Sequence, residues 1–289
     1  MTHAWMPVSP CGETCLTRGE PTVGPGRVAS RLIALLAVLL VAVLLGPVAF
    51  LLPAGARTRL LRRFFRWVLS ACGVRLVVHG DLDGRGRGAL VVNNHVSWLD
   101  IVGINAVRPM RALAKREVGE WPVLGRLVAR AGSVFVDRER LRSLPSAVDG
   151  VAEVLRGGAL VNVTPEGTTW CGHASGRFRP ALFQAALDAG VPVRPLALRY
   201  RLACGRETTR PAFVGPESLV RSVSRTVRLR HLVLEVFVCP EIAPGRARDR
   251  HALAALATDA VDAALGTASV RWTSSPGRAT RSGAVPAAR

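Results

Sequence analysis

Hydrophobic positions along this chain fall into three regimes. From Leu32 to Leu52, 21 residues rich in Leu, Val and Ala pass without a charge. As a straight helix this run spans about 31 Å, close to the hydrocarbon thickness of a bilayer. Gly46 and Pro47 interrupt it, which leaves open a kinked helix or a helical hairpin dipping into one leaflet. In the second regime Leu60, Leu61, Phe64, Phe65, Val68 and Leu69 recur at helical spacing beside Arg57, Arg59, Arg62, Arg63 and Arg66. The pattern predicts an amphipathic helix in a membrane interface, with its arginines at lipid phosphates. A charged helix docked on the protein core is the plainer alternative.

From Val74 onward, short β-rich runs alternate with helical ones. Strands are predicted at Val74–His79, Leu90–Asn93, Arg111–Ala114, Ser133–Asp137, Ala159–Val163, Val193–Arg199 and Leu232–Cys239. Helices are predicted at Asp100–Ala106, Val118–Arg130, Arg142–Leu155, Pro180–Ala189 and Asp249–Leu265. Such alternation predicts an α/β domain: a mostly parallel central sheet flanked by helices, preceded here by the membrane-associating helical segment. Four regions follow: a disordered tail at 1–26, rich in Pro, Gly, Thr and Glu; a membrane anchor plus interfacial basic helix at 27–72; a catalytic domain at 73–265; and a disordered Ser-, Gly- and Arg-rich tail at 266–289.

Composition narrows the partners. The 289 residues are 49% hydrophobic, enough for a real core, and carry a net charge of +19. Lys115 is the only lysine among 39 basic residues, so the rest are arginine. A surface this basic fits either nucleic acid or an anionic membrane. The apolar run favours anionic membrane lipids. No helix-turn-helix, zinc-finger or aromatic-interleaved basic motif is present, and aromatics are only 5%, so no nucleic-acid partner is expected. Five arginines follow the apolar run, against Arg18, Arg27 and Arg31 before it. That bias predicts a cytoplasmic-membrane protein with its catalytic domain on the cytoplasmic face. The six cysteines are scattered. Cys11 and Cys15 form one close pair with no second pair nearby, so no metal site is expected and the thiols stay reduced.

Candidate chemistry begins at Asn93-Asn94-His95-Val96-Ser97-Trp98-Leu99-Asp100, where a strand hands over to a helix. His95 can take a proton near neutral pH. Asp100 can hold such a histidine in one tautomer and stabilise its cation. On an ideal helix a separation of five residues is about 500°, so the pair works only if His95 precedes the helix. Ser97 is a candidate N-cap with Asp100 three residues on, so a capping role for the aspartate is equally open. Three further blocks follow: Gly132-Ser-Val-Phe-Val-Asp-Arg138, Val161-Asn-Val-Thr-Pro-Glu166-Gly167-Thr168-Thr169, and Val191-Pro-Val-Arg-Pro195. His95, Arg138 and Glu166 each lie just past a predicted strand, where sites in α/β sheets gather. A serine-hydrolase alternative fails on Gly172-His-Ala-Ser175-Gly176, whose serine sits one place too late for a nucleophile elbow.

In order and spacing, these four blocks resemble the lysophospholipid acyltransferase family, whose best-known members are 1-acylglycerol-3-phosphate acyltransferases. The resemblance covers roughly residues 74–240. It implies that His95 is the general base, that Asp100 orients it, and that an acceptor hydroxyl attacks an acyl thioester with no covalent enzyme intermediate. It implies that Arg138 meets the acceptor's anionic headgroup, that Glu166, Gly167 and Thr168 line the acceptor site, and that Lys115 adds charge beside it. The implied partners are a lysolipid acceptor, 1-acylglycerol-3-phosphate giving phosphatidic acid, and an acyl donor on acyl carrier protein or coenzyme A. No cofactor or metal is implied. The family's Phe before Pro-Glu-Gly-Thr is Thr164 here, and its following Arg, usually assigned to phosphate, is Thr169. Arg177 and Arg179 lie downstream as substitutes. Some relatives that acylate lyso-ornithine lipid share the Pro-Glu-Gly-Thr-Thr form, which makes that lipid the alternative acceptor. Outside catalysis, the alternatives are a membrane-tethered basic binder or a scaffold.

Overall fold

The computed structural model describes residues 7–49, 51–82, 88–115, 134–136, 141–266 and 270–271. Its strands are β1 (Val74–His79), β2 (Ala89–Asn93), β3 (Arg111–Lys115), β4 (Val134–Val136), β5 (Leu160–Val163), β6 (Ala174–Ser175), β7 (Val193–Leu202), β8 (Leu232–Val238) and β9 (Val270–Arg271). Its helices are α1 (Pro25–Ala49), α2 (Ala54–Cys72), α3 (Leu99–Val107), α4 (Leu144–Arg156), α5 (Phe183–Ala189), α6 (Leu219–Arg228) and α7 (Arg250–Leu265). Seven strands make one sheet in the order β1-β8-β7-β2-β5-β3-β4. Every neighbouring pair is parallel except β7–β8. The sheet is thus mixed but mostly parallel, with helices on both faces.

The period-two geometry of a strand explains the two cores. β2 is buried at every position. Ala89 and Val91 join Leu69 and Cys72 of α2 and Leu99 and Ile104 of α3 on one face. Leu90 and Val92 join Val151 and Leu155 of α4, Phe183 of α5 and Ala257 and Val261 of α7 on the other. A strand covered on both sides reads as a continuous apolar run, as the sequence of β2 does. The site loop leaves from the carboxyl end of this most enclosed strand.

The predicted strands all appear, with ends moved by up to three residues. The helix predicted at Val118–Arg130 lies outside the described residues. The sequence pattern misses α6, whose Ser, Thr and Val residues have weak helix propensity. Ser218 starts it by accepting the Arg221 N–H at 3.3 Å.

Two expectations are corrected. Residues 7–24 of the predicted disordered tail pack on the domain as a strap. Cys11, Leu16 and Glu20 are buried. The Thr17 N–H donates to Thr209 Oγ1 at 2.8 Å, Arg206 pairs with Glu20 at 2.8 Å, and Val23 donates to the Arg228 carbonyl at 2.9 Å. Local Pro/Gly content does not report partners about 190 residues away. The second correction concerns α2. Its Val68, Leu69, Ala71 and Cys72 are buried, and Phe64 and Phe65 pack on the same core. The stripe read as lipid-facing covers the protein's own sheet, because amphipathicity does not say which apolar surface a helix meets.

α1 differs. It is 25 residues long with mean hydropathy 3.0 over its most apolar stretch, and Leu35 is its one buried residue. Ile33, Leu36, Leu40, Leu44 and Val48 are more than half exposed. By length and composition α1 is a candidate membrane segment, and with α2 it makes a helical hairpin turning at Leu51–Pro53. Arg31 anchors its start, donating to the Val227 and Leu229 carbonyls, each at 2.7 Å.

Candidate active site

β2 and β5 are parallel neighbours, so their carboxyl ends lie side by side. The loop after β2 carries His95, and the turn after β5 carries Glu166. The two are joined directly: the His95 backbone N–H donates to Glu166 Oε2 at 2.6 Å. The other oxygen, Oε1, accepts the Gly176 N–H at 2.9 Å. Glu166 is thus a buried bracket between two loops. Burial pushes its carboxyl up to about 8, against the opposing pull of the two N–H donors.

Asp100 sits in the first turn of α3 and is fully buried. Its Oδ2 receives His95 Nδ1 at 2.8 Å, the Val96 N–H at 2.7 Å and the Ser97 N–H at 2.9 Å. Its Oδ1 receives the Tyr200 hydroxyl at 2.6 Å. The two roles open from sequence are therefore both filled by one carboxylate. It reaches back to the backbone ahead of the helix, as a capping residue does, and the same oxygen holds the imidazole. An acceptor on Nδ1 places the proton there and leaves the Nε2 lone pair free to take another. His95's side chain is 18% exposed, so the ring is held from behind while still reachable.

Backbone contacts pin the rest of the loop. The Trp170 N–H donates to the His95 carbonyl and the Phe213 N–H to the Val96 carbonyl, both at 2.8 Å. Asn94 pairs with Leu198 of β7 like an extra strand residue: its Nδ2 donates to the carbonyl at 2.9 Å and its Oδ1 accepts the N–H at 2.8 Å. Asn162 of β5 donates to Asn93 Oδ1 at 2.8 Å. These buried amides fix the angle at which the chain leaves β2.

Gly167 occupies the left-handed region, φ 77°. A Cβ there would lie 2.6 Å from Pro7 Cγ of the strap and 3.9 Å from Arg179 Cδ, so only glycine fits. Arg179 is tied back by its N–H to the Pro165 carbonyl at 2.9 Å, which keeps its stem beside Gly167. Thr168 is half-buried in the same turn. The Thr169 hydroxyl is bonded to the Phe213 carbonyl and so is committed to the fold. Lys115 closes β3 opposite Val136. Arg138 lies outside the described residues. Ser175 lies on β6, paired with β9.

Tyr200 is the functional neighbour that sequence reasoning missed. It is the chain's single tyrosine, on the same strand as Val193 and seven residues after it. Burial and the Asp100 carboxylate drive its hydroxyl well above its ordinary range, so it remains a donor at any working pH. The signal available in sequence was a lone aromatic hydroxyl in line with Leu196, Leu198 and Leu202 on the apolar side of an alternating strand, where it needs a buried partner.

A histidine base held by a buried aspartate, at the carboxyl edge of a mostly parallel sheet and beside a Pro-Glu-Gly-Thr turn, defines an α/β O-acyltransferase. The family model described as Acyltransferase matches residues 75–199. The chain is 38% identical over 199 residues to the 1-acyl-sn-glycerol-3-phosphate acyltransferase of Neisseria meningitidis, covering 68% of this chain and 77% of that one. It is 34% identical over 224 residues to the lyso-ornithine lipid O-acyltransferase of Pseudomonas aeruginosa, covering 75% and 84%. The fold matches the crystal structure of the 1-acyl-sn-glycerophosphate acyltransferase PlsC from Thermotoga maritima, with TM-score 0.64, 19% identity, and 86% and 99% coverage. The chain belongs to the lysophospholipid acyltransferase family.

Proposed function

We propose that this enzyme transfers a fatty acyl group from an acyl carrier protein or coenzyme A thioester to the free hydroxyl of 1-acylglycerol-3-phosphate. The observation that carries the reaction is the His95 Nδ1–Asp100 contact at 2.8 Å, which leaves Nε2 as the base. Nε2 takes the acceptor hydroxyl proton as that oxygen bonds to the thioester carbonyl carbon. The carbon–sulfur bond then breaks, and the departing thiolate takes the proton back from the imidazolium. Asp100 stabilises the cation between these steps.

Arg179 supports a phosphate acceptor. It lies beside Gly167, where its guanidinium can supply the charge that Thr169 cannot, and a guanidinium fork suits a phosphate. Arg138 and Lys115 are assigned to the same headgroup, and Thr168 to the acceptor's rim. The exposed apolar face of α1 supports a seat in the cytoplasmic membrane, with the catalytic domain on the cytoplasmic side and arginines toward anionic lipid. A second reading, acylation of lyso-ornithine lipid, is favoured by Thr169 and by the similarity to the Pseudomonas enzyme.

The test offers membranes holding the enzyme a labelled acyl thioester with each lysolipid in turn. Labelled phosphatidic acid is expected, with loss of at least a hundredfold in His95→Ala and a KM for the phosphate acceptor raised about tenfold in Arg179→Ala. Product from lyso-ornithine lipid alone would transfer the assignment to the second acceptor. Undiminished activity in His95→Ala would end the mechanism.

A further inference from the structure

The strap brings Cys11 and Cys15 to Cys171, five residues past Glu166. The three sulfur atoms all lie within 4.8 Å of one another. Cys11 and Cys171 are buried and Cys15 is half-buried. The sequence shows no second pair of ligands near Cys11 and Cys15; the structure adds a single third thiol, from a loop 156 residues downstream of Cys15.

We propose that Cys11, Cys15 and Cys171 form a zinc site that staples the N-terminal strap to the loop carrying Glu166. A tetrahedral Zn²⁺ with Zn–S bonds of about 2.3 Å needs sulfurs about 3.8 Å apart, so closing the cluster requires sub-ångström movement. A 3₁₀ turn, Glu13–Cys15, lies within Cys11-x3-Cys15, and the two sulfurs of the pair are within 4.8 Å of each other. The x3 spacing is within the range used by structural zinc ligands. Half-burial of Cys15 leaves the fourth position open to water.

The Cys11 N–H donates to Ser9 Oγ at 3.2 Å, which fixes the backbone just ahead of the 3₁₀ turn. Zn²⁺ entry releases the protons held by the thiols and leaves a tris-thiolate complex.

The full chain, purified in detergent with reductant and reconstituted with Zn²⁺, is expected to retain one zinc per chain. On adding a chelator, iodoacetamide should newly label three of the six cysteines, mapped to Cys11, Cys15 and Cys171. Zinc should fall below a tenth of an equivalent in Cys11→Ser and in Cys171→Ser, and stay at one in Cys204→Ser. Titration of metal-stripped wild type with Cd²⁺, followed by the thiolate charge-transfer band, should saturate at one equivalent and does not depend on the variants folding. Absence of zinc after reconstitution, or zinc retained by Cys171→Ser, would overturn the proposal. So would thiols of protein purified without reductant that reductant alone unmasks, with no chelator added, which would mean a disulfide.

Discussion

At the scale of single residues, the site is a chain of contacts converging on one carboxylate. Asp100 accepts from an imidazole, two backbone amides and a phenol. Each bond restrains the next, so the ring is aimed without depending on side-chain entropy at the moment of reaction. His95 and Asp100 were legible only together with the three later blocks, because a helix cap alone would also have explained the aspartate. Tyr200 was not, because its partner lies 100 residues away in sequence. Tyr200→Phe preserves shape and deletes one bond to the carboxylate, a loss of about 1.5–3 kcal/mol for a hydrogen bond to a charged group. We expect kcat to fall about tenfold with KM within twofold, measured by steady-state kinetics, and the chemical denaturation midpoint to drop. An unchanged kcat would reduce Tyr200 to a packing residue.

At the scale of elements, amphipathic pattern located the helices but not their partners. α1 and α2 both read as membrane-associating, yet only α1 keeps its leucines exposed. Removing residues 1–72 would strip Leu69 and Cys72 from the sheet and unfold the domain. The informative change is smaller. Leu36→Gln, Leu40→Gln and Leu44→Gln together alter side chains 66%, 58% and 63% exposed in the folded chain. Three leucines withdrawn from lipid forfeit roughly 5–9 kcal/mol at the usual worth of a buried leucine. Most of the protein should move from the pellet to the supernatant on membrane fractionation, with its thermal midpoint nearly unmoved. Continued pelleting of the triple variant would contradict a membrane seat for α1.

At the scale of the whole molecule, the buried bracket at Glu166 links global stability to pH. Its folded-state value, near 8, lies above the ordinary carboxylate value of 4.5. Between those two values the native state holds a proton that the unfolded chain has released, so stability declines as pH rises from about 5 to 8. Glu166→Gln loses one N–H acceptor, at a cost of about 1–3 kcal/mol, but should flatten that decline. Urea denaturation at pH 5, 6.5 and 8 checks it, and an equal slope in both proteins would contradict the assignment. The apolar periods determined the seven strands of the main sheet, most helices and the apolar α1 segment, and the ordered motif blocks marked the His95–Asp100 pair, because these depend on neighbours a few residues apart. The tertiary structure alone decided that residues 7–24 form a strap, that α2 faces the sheet, that Glu166 brackets His95, and that Tyr200 and three distant cysteines find their partners. Those outcomes rest on contacts between segments far apart in the chain, and only packing against the finished sheet brings such segments together.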